Sequence, residues 1–199
     1  MLLVLFGVSG LEAADNVLVT MKTDAGDILI ELYPDAAPVT VLNFLDYVDG
    51  GYYNGARFYR VVRADNQQQN NIKIEVIQGG LQAEPENLPF APIEHESTQV
   101  SGIRHTDGVI SMARGEPGTA SSEFFIVIND QPALDFGGQR NPDGQGFAAF
   151  GKVLDGIDVV RTIQAMPTDV PQGGQLEYTS GQILVTPVII YSLERVKEQ

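Results

Sequence analysis

A single arginine inside a strand-like apolar segment is the first candidate for chemistry in this chain. It lies in Phe58-Tyr59-Arg60-Val61-Val62, and three further β-rich runs follow it. These runs are Ile77-Gln78-Gly79-Gly80, Ser111-Met112-Ala113 and Glu123-Phe124-Phe125-Ile126. One cation, with a glutamine and a phenylalanine on other strands, predicts a polar donor held over an apolar pocket. A hydrolytic or redox centre would require a different set of residues.

Other candidate sites fail on residue type or spacing. His95 and His105 have no metal-ligand partner at helical or hairpin spacing, apart from Glu94 and Glu96 beside the first, so we expect two solvated loop histidines and no metal. The glycines of 115–118 are not followed by the Lys and Ser/Thr of a phosphate loop. No serine stands in a nucleophile elbow, which argues against acyl transfer.

Composition limits the function classes further. The chain has 199 residues, 43% of them hydrophobic, which favours one domain with one core. Its 26 acidic and 12 basic residues give a net charge of -14, which disfavours nucleic acid as a partner and favours a monomer. The absence of cysteine excludes disulfides and thiolate chemistry, but it is compatible with any cellular compartment.

The N-terminal segment 1–15 is interpreted as the remnant of a signal peptide. Residues 1–10 are apolar, and the small residues Ala13 and Ala14 suit a cleavage site, although a basic start is missing. The run is too short to span a bilayer, so the mature protein is predicted to have no membrane insertion. We therefore expect a working domain over 16–199 and a periplasmic or otherwise exported location. The alternative is a cytoplasmic protein with an apolar N-terminus.

The remaining pattern is mainly β. Strands at 17–22 and 27–32 are joined by Thr23-Asp24-Ala25-Gly26, which predicts a hairpin. Further strands are predicted at 57–62, 72–78, 108–113, 123–128 and 146–153, and a long last strand at 182–193, broken at Pro187. Many short strands favour a barrel or a sandwich.

Two amphipathic helices interrupt the strands. The first is predicted at 38–48, and the second at 157–166, where Val160 and Ile163 share a face and Pro167 ends the run. The apolar face of the first helix is predicted to consist of Val41, Leu42, Leu45 and Val48, with Asn43, Asp46 and Asp49 opposite. The glycine-rich segments 114–122 and 136–146 are interpreted as plain turns.

Together these runs resemble the cyclophilin family of peptidyl-prolyl cis-trans isomerases over about 17–193. The family's Phe-His-Arg-Ile-Ile…Gln-Gly-Gly block is matched by residues 58–62 and 78–80, and its Ser-Met-Ala and Ser-Gln-Phe-Phe-Ile blocks by 111–113 and 122–126. A third block is matched by Leu134-Asp135 and Ala149-Phe150-Gly151-Lys152-Val153. The pattern is similar to that of exported bacterial members. Several ordered blocks make this a specific resemblance.

The resemblance implies an eight-stranded antiparallel closed barrel capped by two α-helices, with a proline-binding groove on its outer face. Arg60 matches the catalytic arginine. The residues implied in substrate binding are Phe125, Gln78, Ala113, Leu134, Phe147, Met112, Glu75 and Val76. The implied activity is isomerisation of X-Pro bonds in proline-containing polypeptide clients, with a role in protein folding and as a chaperone, and it needs no cofactor.

The alternatives are a chaperone module that binds proline peptides with little catalysis, and a barrel that binds small ligands. They arise because the chain departs from the family pattern. Residues 63–71 lengthen the connection before Gln78, and Glu75 and Val76 stand where the family has Phe and Met. Ala133 replaces a common tryptophan and Phe147 a common histidine. With no histidine in the groove, we expect activity to be flat from about pH 6 to 8.

Overall fold

The computed structural model describes residues 15–169 and 178–197. The strands of this part are β1 Val17–Thr23, β2 Gly26–Leu32, β3 Arg57–Val62, β4 Val76–Gly80, β5 Val109–Met112, β6 Phe124–Val127, β7 Ala148–Asp155 and β8 Ile183–Arg195. They form a closed antiparallel barrel in the order β1-β2-β7-β5-β6-β4-β3-β8. The mainly β prediction and the eight-stranded barrel are confirmed. Residues 1–14, the core of the proposed signal segment, lie outside the described residues.

The first two strands form the predicted hairpin. Their register runs from Val17 opposite Leu32 to Thr23 opposite Gly26. The hydroxyl of Thr23 donates to the carbonyl of Gly26 at 2.7 Å and closes the turn. Alternate side chains of both strands point into the barrel, as the period of two requires.

Three α-helices accompany the barrel: α1 Pro38–Asp49, α2 Thr98–Ser101 and α3 Ile157–Gln164. The two predicted helices are confirmed, and α2 adds a single turn that the sequence did not indicate. In α3, Val160 and Ile163 are fully buried, as their spacing predicted. Within the described ranges, no helix has the length and apolarity needed to cross a bilayer.

The buried face of α1 differs from the predicted one. Leu42 is 62% exposed, whereas Asn43 is buried and donates to the carbonyl of Ser121 at 2.7 Å. The rings of Phe44 and Tyr47 are fully buried and fix the orientation of the helix, which turns Leu42 toward solvent. Aromatic burial outweighs that of one leucine, because each ring removes more apolar surface from water.

A distant carboxylate holds the start of α1. Glu96 accepts hydrogen bonds from the backbone N–H groups of Val39 and Thr40, at 3.1 and 2.8 Å, and from the hydroxyl of Thr40 at 2.6 Å. These N–H groups have no partner within the helix, and a negative charge is favourable at a helix N-terminus. A loop between β4 and β5 is thereby fixed to the barrel cap.

Several strand boundaries also differ from the prediction, and the largest difference is at the start of β4. The segment 72–75 is not a strand, because the side chain of Gln67 bonds both the N–H and the carbonyl of Ile74. The last strand is the longest, as predicted, and it continues to Arg195. The break predicted at Pro187 is wrong, because β8 runs through this residue without interruption. Only the pairing with β3 is irregular there, since Phe58 faces Val188 but Arg60 faces Ile183.

Two hydrophobic clusters share the barrel strands. The interior cluster fills the barrel and contains tilted and edge-on ring contacts of Phe44 with Phe124 and Phe150, at 5.7 and 5.1 Å. The outer cluster lies on the outside of the wall and contains Val62, Ile74, Val76, Val109, Phe125, Val127, Leu134, Phe147 and Ala149. The candidate site is built on this outer cluster.

Candidate active site on the outer wall of the barrel

A cavity of about 320 Å³ opens on the outer wall, across β3, β4 and β6. Its apolar floor and sides come from the outer cluster. Charged and polar side chains surround the rim. The cavity is lined by Arg60, Val62, Ile74, Val76, Gln78, Ala113, Arg114, Gly115, Thr119, Ser121, Glu123, Phe125, Leu134, Arg140, Asn141, Phe147 and Tyr178.

Three neighbouring strands bring the central residues into one row. Arg60 on β3 is opposite Gln78 on β4, and Gln78 is opposite Phe125 on β6. Cross-strand partners carry their side chains on the same face of a sheet. A cation, an amide and an aromatic ring therefore lie side by side on the outside of the wall.

Two glutamines orient the Arg60 guanidinium. Its Nη1 donates to Gln78 Oε1 at 2.8 Å, and its Nε and Nη2 donate to Gln182 Oε1 at 2.9 and 2.6 Å. Arg60 is 8% exposed, and no carboxylate of the described part of the chain forms an ion pair with it. A guanidinium has five N–H donors, so these bonds leave two that the glutamines do not use.

The charge of Arg60 is modified by its surroundings. Burial lowers the pKa of Arg60, the phenols of Tyr178 and Tyr59 oppose this effect, and the nearby Arg140 cation adds to it. The Arg60 guanidinium carbon lies 4.9 Å from the centre of the Tyr178 ring, at a cation–π distance. Because arginine has a very high ordinary pKa, Arg60 remains a cation at neutral pH.

A hydrogen-bond chain fixes the Gln78 amide. Gln78 Nε2 donates to the Tyr59 hydroxyl at 2.8 Å, and this hydroxyl donates to Glu123 Oε2 at 2.6 Å. Burial raises the pKa of Tyr59, and the Glu123 carboxylate raises it further, so the phenol stays neutral and can donate. The chain directs the amide oxygen of Gln78 toward Arg60.

The floor of the cavity is a stack of rings. Phe125 meets Phe147 edge-on at 5.3 Å, and the ring of His105 lies parallel beneath Phe125 at 6.0 Å. His105 is 1% exposed, so its prediction as a solvated loop residue is wrong. His95 is half-buried, with Nε2 3.1 Å from the carbonyl of Gln145, so it is only partly solvated. The sequence did not predict these contacts, because Gln145 and Asp135 are distant along the chain from the two histidines.

Two polar partners hold the His105 ring. Its Nδ1 lies 2.8 Å from Asp135 Oδ1, and its Nε2 lies 3.0 Å from Ser111 Oγ. Burial raises the pKa of Asp135, but hydrogen bonds from the ring and backbone N–H of His105, with the nearby Arg104 cation, bring it below its ordinary value. An ionised Asp135 accepts from Nδ1–H, and this fixes the ring beneath Phe125.

The segment 63–71, the Asn/Gln-rich insertion, forms part of the cavity's support. Gln67 is fully buried, and its Oε1 accepts from Arg140 Nη1 at 3.1 Å. Gln69 Nε2 donates to the carbonyl of Tyr178 at 2.8 Å. The insertion thus holds two residues of the cavity, one by its side chain and one by its backbone.

Most of the predicted site residues line this cavity. These are Arg60, Gln78, Phe125, Ala113, Leu134, Phe147 and Val76. Met112 and Glu75 do not. Strand alternation turns Met112 into the barrel interior, and Glu75, next to Val76, points away and accepts from Asn129 Nδ2 at 2.9 Å.

Sequence reasoning missed several residues of the site. Arg140 belongs to a segment that was interpreted as a plain turn, and Gln182 was treated only as the start of a strand. Tyr178 and Glu123 were not singled out. Ile74 and Val62 supply the apolar wall where the family's Phe and Met are absent. The available sequence signal for that wall was the alternation of Ile74 and Val76, with Val62 at the end of β3.

No side-chain group typical of a metal site occurs in 15–169 or 178–197, counting clusters of three or more His, Asp and Glu. Neither of the chain's two histidines lines the cavity. The charged groups that do line it are arginines and Glu123. The arrangement is suited to binding a small apolar group beside a hydrogen-bond donor.

The fold and the cavity define a closed antiparallel β-barrel with a binding site on its outer wall. The family model for cyclophilin type peptidyl-prolyl cis-trans isomerase/CLD matches residues 18–190. The chain is 38% identical over 158 residues to a peptidyl-prolyl cis-trans isomerase of Acinetobacter baylyi, covering 78% of this chain and 76% of that protein. Isomerase B of Escherichia coli is 37% identical over 155 residues, covering 76% and 86%. The chain belongs to the cyclophilin family and is a peptidyl-prolyl cis-trans isomerase.

Solved structures agree on the fold. A cyclophilin-type isomerase of Cryptosporidium parvum superposes with a TM-score of 0.65 at 23% identity, covering 93% of this chain and all of that one. A second structure of that protein, in the presence of the dipeptide Ala-Pro, gives a TM-score of 0.66 at 24% identity, with 91% and 99% covered. At this identity the likeness concerns the fold alone.

Proposed function

We propose that Arg60 accelerates rotation about X-Pro bonds by binding the twisted amide. Rotation has a barrier of about 18–20 kcal/mol, because resonance between the carbonyl and the nitrogen is lost. In the twisted state the proline nitrogen regains a lone pair and can accept a hydrogen bond. A fixed guanidinium with N–H groups that the glutamines do not use stabilises that state more than either planar isomer. The observation that carries this proposal is that hydrogen bonds to Gln78 and Gln182 fix the Arg60 guanidinium.

The apolar part of the cavity accommodates the proline ring. Phe125 and Phe147 form the floor, and Leu134 and Val76 lie among the lining residues. A ring seated there excludes water from the neighbourhood of Arg60, and the cation acts more strongly where water is excluded. Ala113 lines the same cavity and leaves room above the floor.

Proline-containing polypeptides are the proposed clients, and protein folding is the proposed setting. A binding module with little catalysis was the alternative, based on the changed residues Glu75 and Val76. The support for it is weak, because Val62, Ile74 and Val76 form a continuous apolar wall and Glu75 points away. We therefore favour a catalytic isomerase over a module that only binds proline peptides.

Arg60→Ala tests the mechanism. Loss of one fixed donor to the transition state removes about 3 kcal/mol, so kcat/KM should fall about a hundredfold in a protease-coupled assay with a proline tetrapeptide. Arg57→Ala is the matched control, because Arg57 is exposed on the same strand. Circular dichroism should show both variants folded. Equal rates for Arg60→Ala and wild type would contradict the role given to Arg60.

We also propose export and a monomeric state, both from the sequence alone. The apolar segment 1–10 with Ala13 and Ala14 supports export, and the net charge of -14 disfavours self-association. N-terminal sequencing of the mature protein tests the first, and sedimentation velocity tests the second. An intact Met1 in the cell, or a stable dimer, would contradict them.

A further inference from the structure

Arg140 is a second arginine in the cavity wall. It is 8% exposed, its Nη1 donates to Gln67 Oε1 and to the carbonyl of Ile72, and its Nη2 is buried with no hydrogen-bond partner in the described part of the chain. A buried donor without a partner is uncommon in folded proteins, because the lost hydration is not replaced. Such a group requires an explanation.

The positive charge of Arg140 is also uncompensated within residues 15–169 and 178–197. Of the three arginines in the cavity wall, Arg114 forms an ion pair with Asp143 at 2.8 Å. Neither Arg60 nor Arg140 has a carboxylate of the described residues within 4.0 Å. Their guanidinium carbons lie 4.9 and 5.9 Å from the centre of the same Tyr178 ring. One side of the cavity therefore concentrates two buried cations.

The Arg140 cation is held in place before any ligand binds. Its backbone N–H donates to the carbonyl of Ala133 at 3.1 Å. The Gln67 side chain that supports it is itself fixed, because its Nε2 donates to the carbonyls of Arg63 and Ile74, both at 2.7 Å. A cation that is already oriented loses little entropy when an anion binds.

We propose that Arg140 is a carboxylate-binding subsite, which makes the enzyme prefer proline segments that carry an acidic group beside the proline. The proposal rests on the proline pocket of the proposed function. A peptide carbonyl could accept from Nη2, but only an anion both accepts from the guanidinium and neutralises its charge. An acidic side chain and a free C-terminal carboxylate offer the same chemistry. Both are sources to be tested.

Peptide affinities test the subsite without relying on turnover. Three pairs of proline peptides suffice. In the first pair the residue before the proline is Glu or Gln, and in the second pair the residue after it is Glu or Gln. In the third pair the C-terminus is either a free carboxylate or an amide. Calorimetry with wild type should show about tenfold tighter binding of the acidic member in at least one pair. Arg140→Gln should bring the ratio to about one. Arg57→Gln, at an exposed arginine that does not line the cavity, should keep the wild-type ratio.

The results separate this subsite from the proline pocket. Equal affinities within every pair for wild type, or a ratio that survives Arg140→Gln, would overturn the subsite and leave the pocket intact. No binding of any proline peptide would overturn the pocket as well. If Arg140→Gln does not fold, salt provides the test with wild type alone. The acidic preference should shrink between about 50 mM and about 500 mM NaCl, and a constant preference would contradict the proposal.

Discussion

The interior cluster and the outer cluster are built by the same strands but have different surroundings. Phe124 and Phe125 are neighbours on β6, and alternation sends them to opposite sides of the wall. Phe124 packs edge-on against Phe44, Tyr53 and Phe58 inside the barrel. Phe125 packs against Phe147 and His105 and borders an open cavity. One strand thus contributes to stability with one face and to binding with the other.

The largest expected effect is a loss of stability on the interior side. Phe124→Ala leaves a closed cavity among aromatic rings, and we expect the free energy of unfolding to fall by about 4 kcal/mol. Phe125→Ala only enlarges an existing opening, so the expected loss is about 2 kcal/mol, but kcat/KM should fall at least about tenfold. Urea denaturation and the protease-coupled assay measure the two quantities. Equal losses of stability in both variants would remove the distinction between the clusters.

The insertion provides a second test, because its residue Gln67 supports Ile74 of the outer cluster and Arg140 of the cavity. Gln67→Ala leaves the N–H of Ile74 without a partner and removes one of the two acceptors of Arg140 Nη1, which should cost about 2 kcal/mol of stability. Catalysis should weaken as well, since Ile74 and Arg140 line the cavity. The matched control is Gln68→Ala, at an exposed neighbouring glutamine, which should change neither. A Gln67→Ala enzyme with wild-type activity would show that the insertion does not support the site.

A low pH should lower the stability of the protein by protonating Asp135, which holds the His105 ring beneath Phe125. Its pKa in the folded state is depressed, so the ionised form contributes stability above the ordinary carboxyl pKa of about 4, and this contribution is lost as the pH falls through the lower folded value. Asp135→Asn should cost about 1.5 kcal/mol near pH 7, from weaker hydrogen bonds to His105. The difference from wild type should shrink below about pH 4. A difference that stays constant down to about pH 2 would contradict the assignment.

The smallest expected effect is on the pH dependence of catalysis. The chain's two histidines lie outside the cavity, and Arg60 stays charged, so kcat/KM should be nearly constant from about pH 6 to 8. A pH series with the tetrapeptide substrate measures it. A bell-shaped profile in that range would show that His105, one layer beneath Phe125, affects the cavity.

The barrel was predictable from the sequence, because alternation and ordered motifs report directly on strands. The same pattern placed Phe125 and Gln78 correctly beside Arg60. It failed where a side chain replaces a strand partner, as Gln67 does for Ile74, since a buried amide has no periodic signal. It also failed for His105, because Asp135 lies 30 residues away along the chain.

The cavity's polar rim was less predictable than its apolar floor. Arg140 belongs to a glycine-rich turn, where composition indicates only flexibility of the backbone. Its burial depends on Gln67, which is 73 residues away. Met112 belongs to a matched motif and Glu75 stands where the family has Phe, but neighbours along an extended chain face opposite sides. A matching position is therefore weaker support for a site residue than position on the same face of the sheet.

The hydrogen bonds that fix Arg60 and Tyr178 have a consequence for synthesis of the protein. Gln182 follows Arg60 by 122 residues, and Tyr178 follows Gln69 by 109. A nascent chain that has emerged from the ribosome only as far as β7 contains the arginine but lacks both of these contacts. Contacts of such long range form late in folding. The enzyme should thus gain its activity only after Tyr178 and Gln182 have left the ribosome, and it cannot act on its own prolines before then.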